Sequence, residues 1–118
     1  MPSSRSLAAL GALNGRAALV VGGGGHIGRV CCETLAEAGA RIGIIDNDVE
    51  SAENAARALR EIGAEAFAAG LDLADEDVTR AGLKAALDRL DGIDVLVHTA
   101  AYVNQGNVAG YAAPFAEQ

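Results

Sequence analysis

The sequence predicts an α/β fold, with a doubly wound parallel sheet that is incomplete at about four strands in the order 3-2-1-4 and carries three helices. Short β-prone runs alternate with stretches of helical period, and connections of this length form crossovers between parallel strands. Hydrophobic residues make up 51% of the chain, whereas aromatic residues make up 3%. An apolar mass of Ala, Val, Leu and Ile is typical of a buried sheet covered by helices.

The first strand and the first helix are bounded by glycines. Ala17–Val21 is a short apolar run, and the four glycines that begin at Gly22 cannot continue a packed strand. A helix is predicted over Ile27–Ala38, with Gly39 as its stop. Its apolar positions recur at helical spacing and are Ile27, Val30, Cys31, Leu35 and Ala38.

The second strand and helix follow the same plan. Arg41–Ile45 is a β-branched run that ends at Asp46. Asp48 or Ser51 can cap the next helix, and a glycine closes it at position 63. The apolar side predicted for this helix consists of Ala52, Ala55, Ala56, Leu59 and Ile62.

The remaining elements complete the predicted sheet. Ala64–Leu71 is a weaker, Ala-rich strand candidate. Asp75 is the predicted N-cap of a third helix that runs to Leu90, with acidic residues in its first turn where the helix dipole favours them. Ile93–Val97 is the fourth strand and the most continuously apolar one.

Charge and cysteine content narrow the class of partner. The net charge of −7 and a pI of about 4.6 argue against a nucleic-acid or anionic-membrane surface, and no apolar run is long enough for a membrane span. Cys31 and Cys32 are adjacent, where a disulfide between them would be strained, so we interpret them as free thiols in the cytoplasm. The expected partners are a small-molecule cofactor and substrate.

A glycine pattern carries the functional prediction. Gly22, Gly25 and Gly28 lie between a strand and a helix, which is the context of a dinucleotide-binding turn in a Rossmann-like fold. We expect these glycines, with His26 and Ile27 at the helix start, to hold a pyrophosphate through backbone N–H groups. A flexible Gly-rich hairpin is the alternative, and the helical pattern that follows disfavours it.

Asp46 and Asn47 indicate which dinucleotide binds. An acid at the end of strand two can accept hydrogen bonds from both ribose hydroxyls of adenosine and repels a 2′-phosphate. No Arg stands in residues 47–50 to hold such a phosphate. NAD is therefore predicted over NADP.

The domain organisation follows from these motifs. At 118 residues the chain is short for a complete fold of this type. Residues 1–12 are predicted to be a frayed leader and residues 13–103 a dinucleotide-binding half-domain. Residues 104–118 show no clear period, and we expect a loop or the start of a further helix there, with the chain truncated.

The sequence resembles the short-chain dehydrogenase/reductase family over roughly residues 13–118. The runs that carry the likeness are Leu13–Gly22, Gly25–Arg29, Asp46, Asp72–Leu73 and Asp94–Ala101. The resemblance implies an NAD-dependent oxidoreductase acting on an alcohol or carbonyl. It also implies that Asp72 and Leu73 contact the adenine and that Ala100 and Ala101 line the cofactor near its ribose.

The chain departs from the family where catalysis is concerned. The family uses a Ser, a Tyr and a Lys four residues after the Tyr, whereas Lys84 is the only lysine and neither Tyr102 nor Tyr111 has a lysine at that offset. No catalytic residue and no metal ligand is predicted, and His26 and His98 are interpreted as bystanders. The chain alone is expected to be inactive.

Alternatives remain open at this point. The run from His98 to Ala101 and the glycine spacing are similar to the sugar-nucleotide epimerase branch. A methyltransferase also uses a Gly-rich turn and a strand-two acid, and a non-catalytic NAD-sensing or interaction module would lack catalytic residues. If strand four is an edge, residues 95–97 form an unpaired apolar border, which predicts self-association or a homo-oligomer.

Overall fold

The computed structural model describes residues 6–100, which contain one four-stranded parallel sheet. Its strands are β1 (Ala17–Val21), β2 (Arg41–Asp46), β3 (Ala66–Gly70) and β4 (Val95–His98). The order is β3-β2-β1-β4, and every pairing is parallel. The predicted fold class and strand order are confirmed. The expectations for residues 101–118 lie outside the described residues.

Four helices accompany the sheet, namely α1 (Leu7–Leu10), α2 (His26–Glu37), α3 (Val49–Glu61) and α4 (Glu76–Leu90). The prediction of three helices misses α1, which is a single turn within the expected leader. Ser6 caps it by accepting a hydrogen bond from the Ala9 N–H, and Leu7 is 89% exposed. Local capping and an Ala/Leu sequence account for this turn, because the helix buries no residue.

The two faces of the sheet are covered by different helices. One core cluster joins Val20, Ile42 and Ile44 to the buried alanines of α3 and to Cys32 of α2. The opposite cluster joins β1 to Leu90 of α4. The helix α4 therefore covers the face of the sheet opposite to α2 and α3.

The helix ends are set by local chemistry. Asp48 caps α3 and Asp75 caps α4, each accepting a hydrogen bond from a backbone N–H three residues later. Asp91 ends α4 in the left-handed region at φ 58°, directly before Gly92. The α3 cap is therefore Asp48 and not Ser51.

The apolar face predicted for the helix over Ile27–Ala38, which is α2, is wrong in part. Ile27 is 70% exposed and Val30 is 58% exposed, whereas Gly28 and Cys32 are buried against the sheet. Small residues face the sheet because the start of α2 packs directly on the glycine turn. Ile62 is likewise 67% exposed, beyond the last residue of α3.

Candidate functional site

A cleft of about 640 Å³ opens where the carboxyl ends of the strands meet the loops that follow them. Parallel sheets bind ligands at this edge, in the crevice where the strand order reverses. In this sheet the reversal lies between β1 and β4. The cleft is lined by Val21, Gly22, Gly25, Ile45, Asp46, Asn47, Leu71, Asp72, Leu73, Ala74, His98, Thr99 and Ala100.

Close packing explains two of the predicted glycines. Gly22 has φ +86°, and a Cβ added there would lie 2.6 Å from the Ala100 backbone nitrogen. A Cβ on Gly28 would overlap the Gly22 carbonyl oxygen and lie 2.7 Å from the Gly23 Cα. A side chain at Gly28 would separate the start of α2 from the turn, and one at Gly22 would collide with Thr99 and Ala100 after β4. At Gly25 an added Cβ would meet only the Gly22 oxygen, at 3.3 Å.

The start of α2 presents free backbone donors. Gly25 is the N-cap and supplies no side-chain hydrogen bond. Among the described residues, none accepts a hydrogen bond from the N–H groups of His26, Ile27 or Gly28. A twelve-residue helix with unpaired N–H groups at its start offers partial positive charge to an anion. The side chains of His26 and Ile27 are exposed and do not line the cleft.

Asp46 lies at the end of β2 with both carboxylate oxygens already engaged. Oδ2 accepts the Gly24 N–H at 3.0 Å, and Oδ1 accepts the Asp48 N–H at 2.9 Å. A carboxylate has about four lone-pair sites, so two remain for the hydroxyls of a ligand. The carboxylate thus joins the glycine turn to the loop after β2 while it faces the cleft.

The loop after β3 forms another wall of the cleft that Asp46 lines. Asp72 is exposed, and its Oδ1 accepts the Ala74 N–H at 2.9 Å, which shapes the turn before α4. Leu73 is 39% exposed and presents an apolar surface. Asn47 lines the same cleft from the loop after β2. The structure therefore places Asn47, Asp72 and Leu73 around one volume with Asp46.

Thr99 closes the floor of the cleft, and the sequence predictions did not include it. Its hydroxyl contacts the Val21 carbonyl oxygen at 3.0 Å and the Gly22 carbonyl oxygen at 3.2 Å, so it can donate to either. Ala100 lines the cleft beside it, while Ala101 lies outside the described residues. The signal in the sequence was a hydroxyl residue directly after the end of strand four.

The described residues bring few proton-transfer groups to the cleft. His98 lines it and is exposed, whereas Lys84 is on α4 and does not line it. Burial raises the pKa of Cys32 to about 12, so its thiol is a poor nucleophile.

Within residues 6–100 there is no group of three His, Cys, Asp or Glu side chains that could hold a metal ion, and no helix has the length and apolarity to cross a membrane.

Comparison with known proteins relates the chain to dehydrogenases. A family model described as short chain dehydrogenase matches residues 16–115. Fluoren-9-ol dehydrogenase of Terrabacter sp. is 35% identical over 95 residues, which are 80% of this chain and 26% of that protein. The 7alpha-hydroxysteroid dehydrogenase of Escherichia coli is 31% identical over 88 residues, covering 75% of this chain and 34% of that protein.

Solved structures agree with this relation. NAD⁺-bound xylitol dehydrogenase superposes with a TM-score of 0.73 at 33% identity, over 76% of this chain and 35% of that chain. A short-chain type dehydrogenase/reductase from Mycobacterium marinum superposes with a TM-score of 0.77 at 28% identity, over 84% of this chain and 40% of that chain. The chain thus spans 26–40% of the length of these relatives.

Proposed function

The chain belongs to the short chain dehydrogenase family, and from that membership we propose that it is the NAD(H)-binding part of an oxidoreductase acting on an alcohol or carbonyl. Residues 13–103 form the dinucleotide-binding unit in this proposal. Its partners are the cofactor and a small-molecule substrate. The free thiols of Cys31 and Cys32 support a cytoplasmic location.

The observation that carries the proposal is the position of Asp46 directly against the glycine turn, with the Gly24 N–H 3.0 Å from its Oδ2. This contact holds Asp46 beside the turn that leads into α2, which supports the proposed binding of a ribose and a pyrophosphate in one cleft. The packing around Gly28 fits the same group, because any side chain there would move the helix start away from the phosphates. The residues present therefore suit a dinucleotide.

Each end of the cofactor has its own set of residues in the proposal. Asp46 and Asn47 hold the adenosine ribose, Asp72 and Leu73 hold the adenine, and Ala100 and Ala101 line the cofactor near its ribose. The backbone donors at the start of α2 hold the pyrophosphate, and Gly22, Gly25, His26, Ile27 and Gly28 form that segment. The bound cofactor would supply the nicotinamide that exchanges a hydride with the alcohol or carbonyl carbon.

The choice of NAD over NADP rests on the Asp46 charge. A 2′-phosphate at this ribose would lie against a carboxylate whose remaining lone pairs face the cleft, and two like charges within hydrogen-bond distance repel. The NAD⁺-bound xylitol dehydrogenase supports the same choice by its likeness to this chain. NADP is expected to bind more weakly.

Hydride transfer by this chain alone is not expected. A reductase of this family needs a Tyr with a Lys four residues later, and the only lysine is Lys84, which does not line the cleft. General acid–base help is typically worth about 10²–10⁴-fold in rate. The second candidate is a non-catalytic NAD-sensing or interaction module, which needs no Tyr with a Lys four residues later.

Calorimetric titration of the chain with NAD, NADP and S-adenosylmethionine tests the proposal. We expect saturable binding of NAD, weaker binding of NADP and none of S-adenosylmethionine. An alcohol and ketone panel followed by NADH absorbance should show no turnover by the chain. Binding of S-adenosylmethionine without NAD would refute the proposal, and turnover would refute the assignment of His98 as a bystander.

A further inference from the structure

Arg29 joins two segments that meet at the edge of the cleft. It is half-buried in the first turn of α2, and its Nε donates to the Gly24 carbonyl oxygen at 3.2 Å. Its Nη2 donates to the Ser51 carbonyl oxygen, also at 3.2 Å. Gly24 belongs to the turn after β1 and Ser51 to the first turn of α3. One guanidinium therefore ties the glycine turn to the helix that follows Asp46.

Gly24 is held from both of its backbone groups. Its N–H donates to Asp46, and its carbonyl accepts from Arg29. The space around it is tight, since an added Cβ would lie 2.8 Å from the Ala52 nitrogen and 2.9 Å from Asp46 Oδ2. The position of the turn relative to Asp46 thus depends on the acid and on the arginine together.

A run of four glycines needs such a tether. Glycine has more accessible backbone conformations than any other residue, so ordering this turn costs more entropy than ordering an ordinary loop. If the turn is ordered only when a ligand binds, that cost is subtracted from the binding free energy. A side chain that orders the turn beforehand raises affinity without contacting the ligand.

We propose that Arg29 is a positioning residue of the cofactor site. By holding Gly24 to Ser51, it keeps the glycine turn in the shape that presents the N–H groups at the start of α2 to the pyrophosphate. Arg29 acts through Gly24, since both of its contacts are to backbone carbonyls. This inference rests on the proposed binding of NAD in the same cleft.

Shape and charge make different predictions for a lysine at this position. Lysine keeps the positive charge, but its single ammonium cannot span two carbonyls as the planar guanidinium does. If Arg29 positions the turn, Arg29→Lys and Arg29→Met both lose affinity. If its charge alone attracts phosphate, Arg29→Lys retains the affinity and the proposal is wrong.

Titration of the two variants with NAD, ADP-ribose and adenosine tests the proposal. We expect NAD and ADP-ribose to bind about tenfold more weakly to both variants, the scale of one lost hydrogen bond to a charged group, and adenosine to weaken less than about threefold. Adenosine is spared because Asp46 keeps its bond to the Asp48 N–H. A loss equal for all three ligands indicates general damage and overturns the proposal.

The matched control is Arg57→Met, which removes an exposed arginine of α3 whose guanidinium contacts Asn54 at 3.2 Å. This variant should bind all three ligands as the unmodified chain does. If Arg29→Met fails to fold in urea-unfolding experiments, the Arg29→Lys comparison decides. Failure of the unmodified chain to bind NAD would refute the proposed function, whereas binding that neither Arg29 variant changes would refute only the role of Arg29.

Discussion

Replacing Asp46 with alanine removes two kinds of interaction at once. The carboxylate accepts the Gly24 N–H at 3.0 Å and the Asp48 N–H at 2.9 Å, so it shapes the turn and the loop as well as facing the cleft. Asp46 is half-buried, and water can reach part of the space that alanine would leave. The substitution should therefore weaken NAD binding and, to a smaller degree, the fold.

The magnitude follows from these contacts. Loss of hydrogen bonds from the ribose hydroxyls to a charged group should cost about 1.5–3 kcal/mol, which is roughly 10–150-fold in Kd. Two backbone donors left to water should lower the free energy of unfolding by about 1–2 kcal/mol. NADP binding should suffer less, because the substitution also removes the repulsion of the 2′-phosphate.

Calorimetry with NAD and NADP, together with urea unfolding, measures both effects. Asp94→Ala is a matched control, because Asp94 Oδ2 also accepts a backbone N–H, from Ala17 at 3.0 Å, but at the amino end of the sheet. The control should lose stability and keep its NAD affinity. An unchanged NAD affinity in Asp46→Ala would remove Asp46 from the site and refute the reasoning.

Three further predictions follow from the packing, the charges and the sheet edge. Gly28→Ala should lower the free energy of unfolding by about 1–3 kcal/mol through overpacking, and urea unfolding should show a smaller loss for Gly25→Ala. The pKa of Asp48 is lowered by the Ser51 hydroxyl and that of Asp94 by the Ala17 N–H, so their stabilising contribution is present above the ordinary value of 3.8 and is lost as pH falls below it. The free energy of unfolding, measured from pH 6 to pH 2, should fall less steeply with pH in Asp48→Asn and Asp94→Asn than in the unmodified chain. An unchanged dependence on pH would contradict these pKa shifts. Leu96 is 59% exposed on β4, so we expect concentration-dependent association in sedimentation experiments that Leu96→Glu reduces, whereas a strictly monomeric chain would refute this.

Much of the fold could be predicted because its signals are local. The strand runs alternate with helices whose starts are marked by Asp48 and Asp75, and residues a few positions apart make those caps. The parallel order then follows from crossover geometry. The face of α2 was predicted less well, because periodicity favours large apolar residues, whereas tight packing on the glycine turn selects Gly28 and Cys32.

The sequence by itself determined which segments end at the same edge of the sheet. Asp46 is the last residue of β2, Asp72 and Ala100 lie shortly after β3 and β4, and parallel strands bring their carboxyl ends together. That rule and the glycine pattern predicted Gly22, Gly25 and Asp46 in the cleft lining from the sequence pattern. The resemblance to short-chain dehydrogenases supplied Asp72, Leu73 and Ala100, which also line the cleft.

Only the tertiary structure decided which contacts hold that edge in shape. Arg29 reaches Ser51 across 22 positions of sequence, and Thr99 reaches Val21 across 78. Neither contact has a periodic or capping signal, because each depends on the distance between elements that meet only after the sheet has formed. No arginine stands in residues 47–50, whereas the fold brings Arg29 of α2 to the Ser51 carbonyl in the first turn of α3. Spacing along the chain predicts where strands end, but the distances between packed elements determine which side chains bridge them.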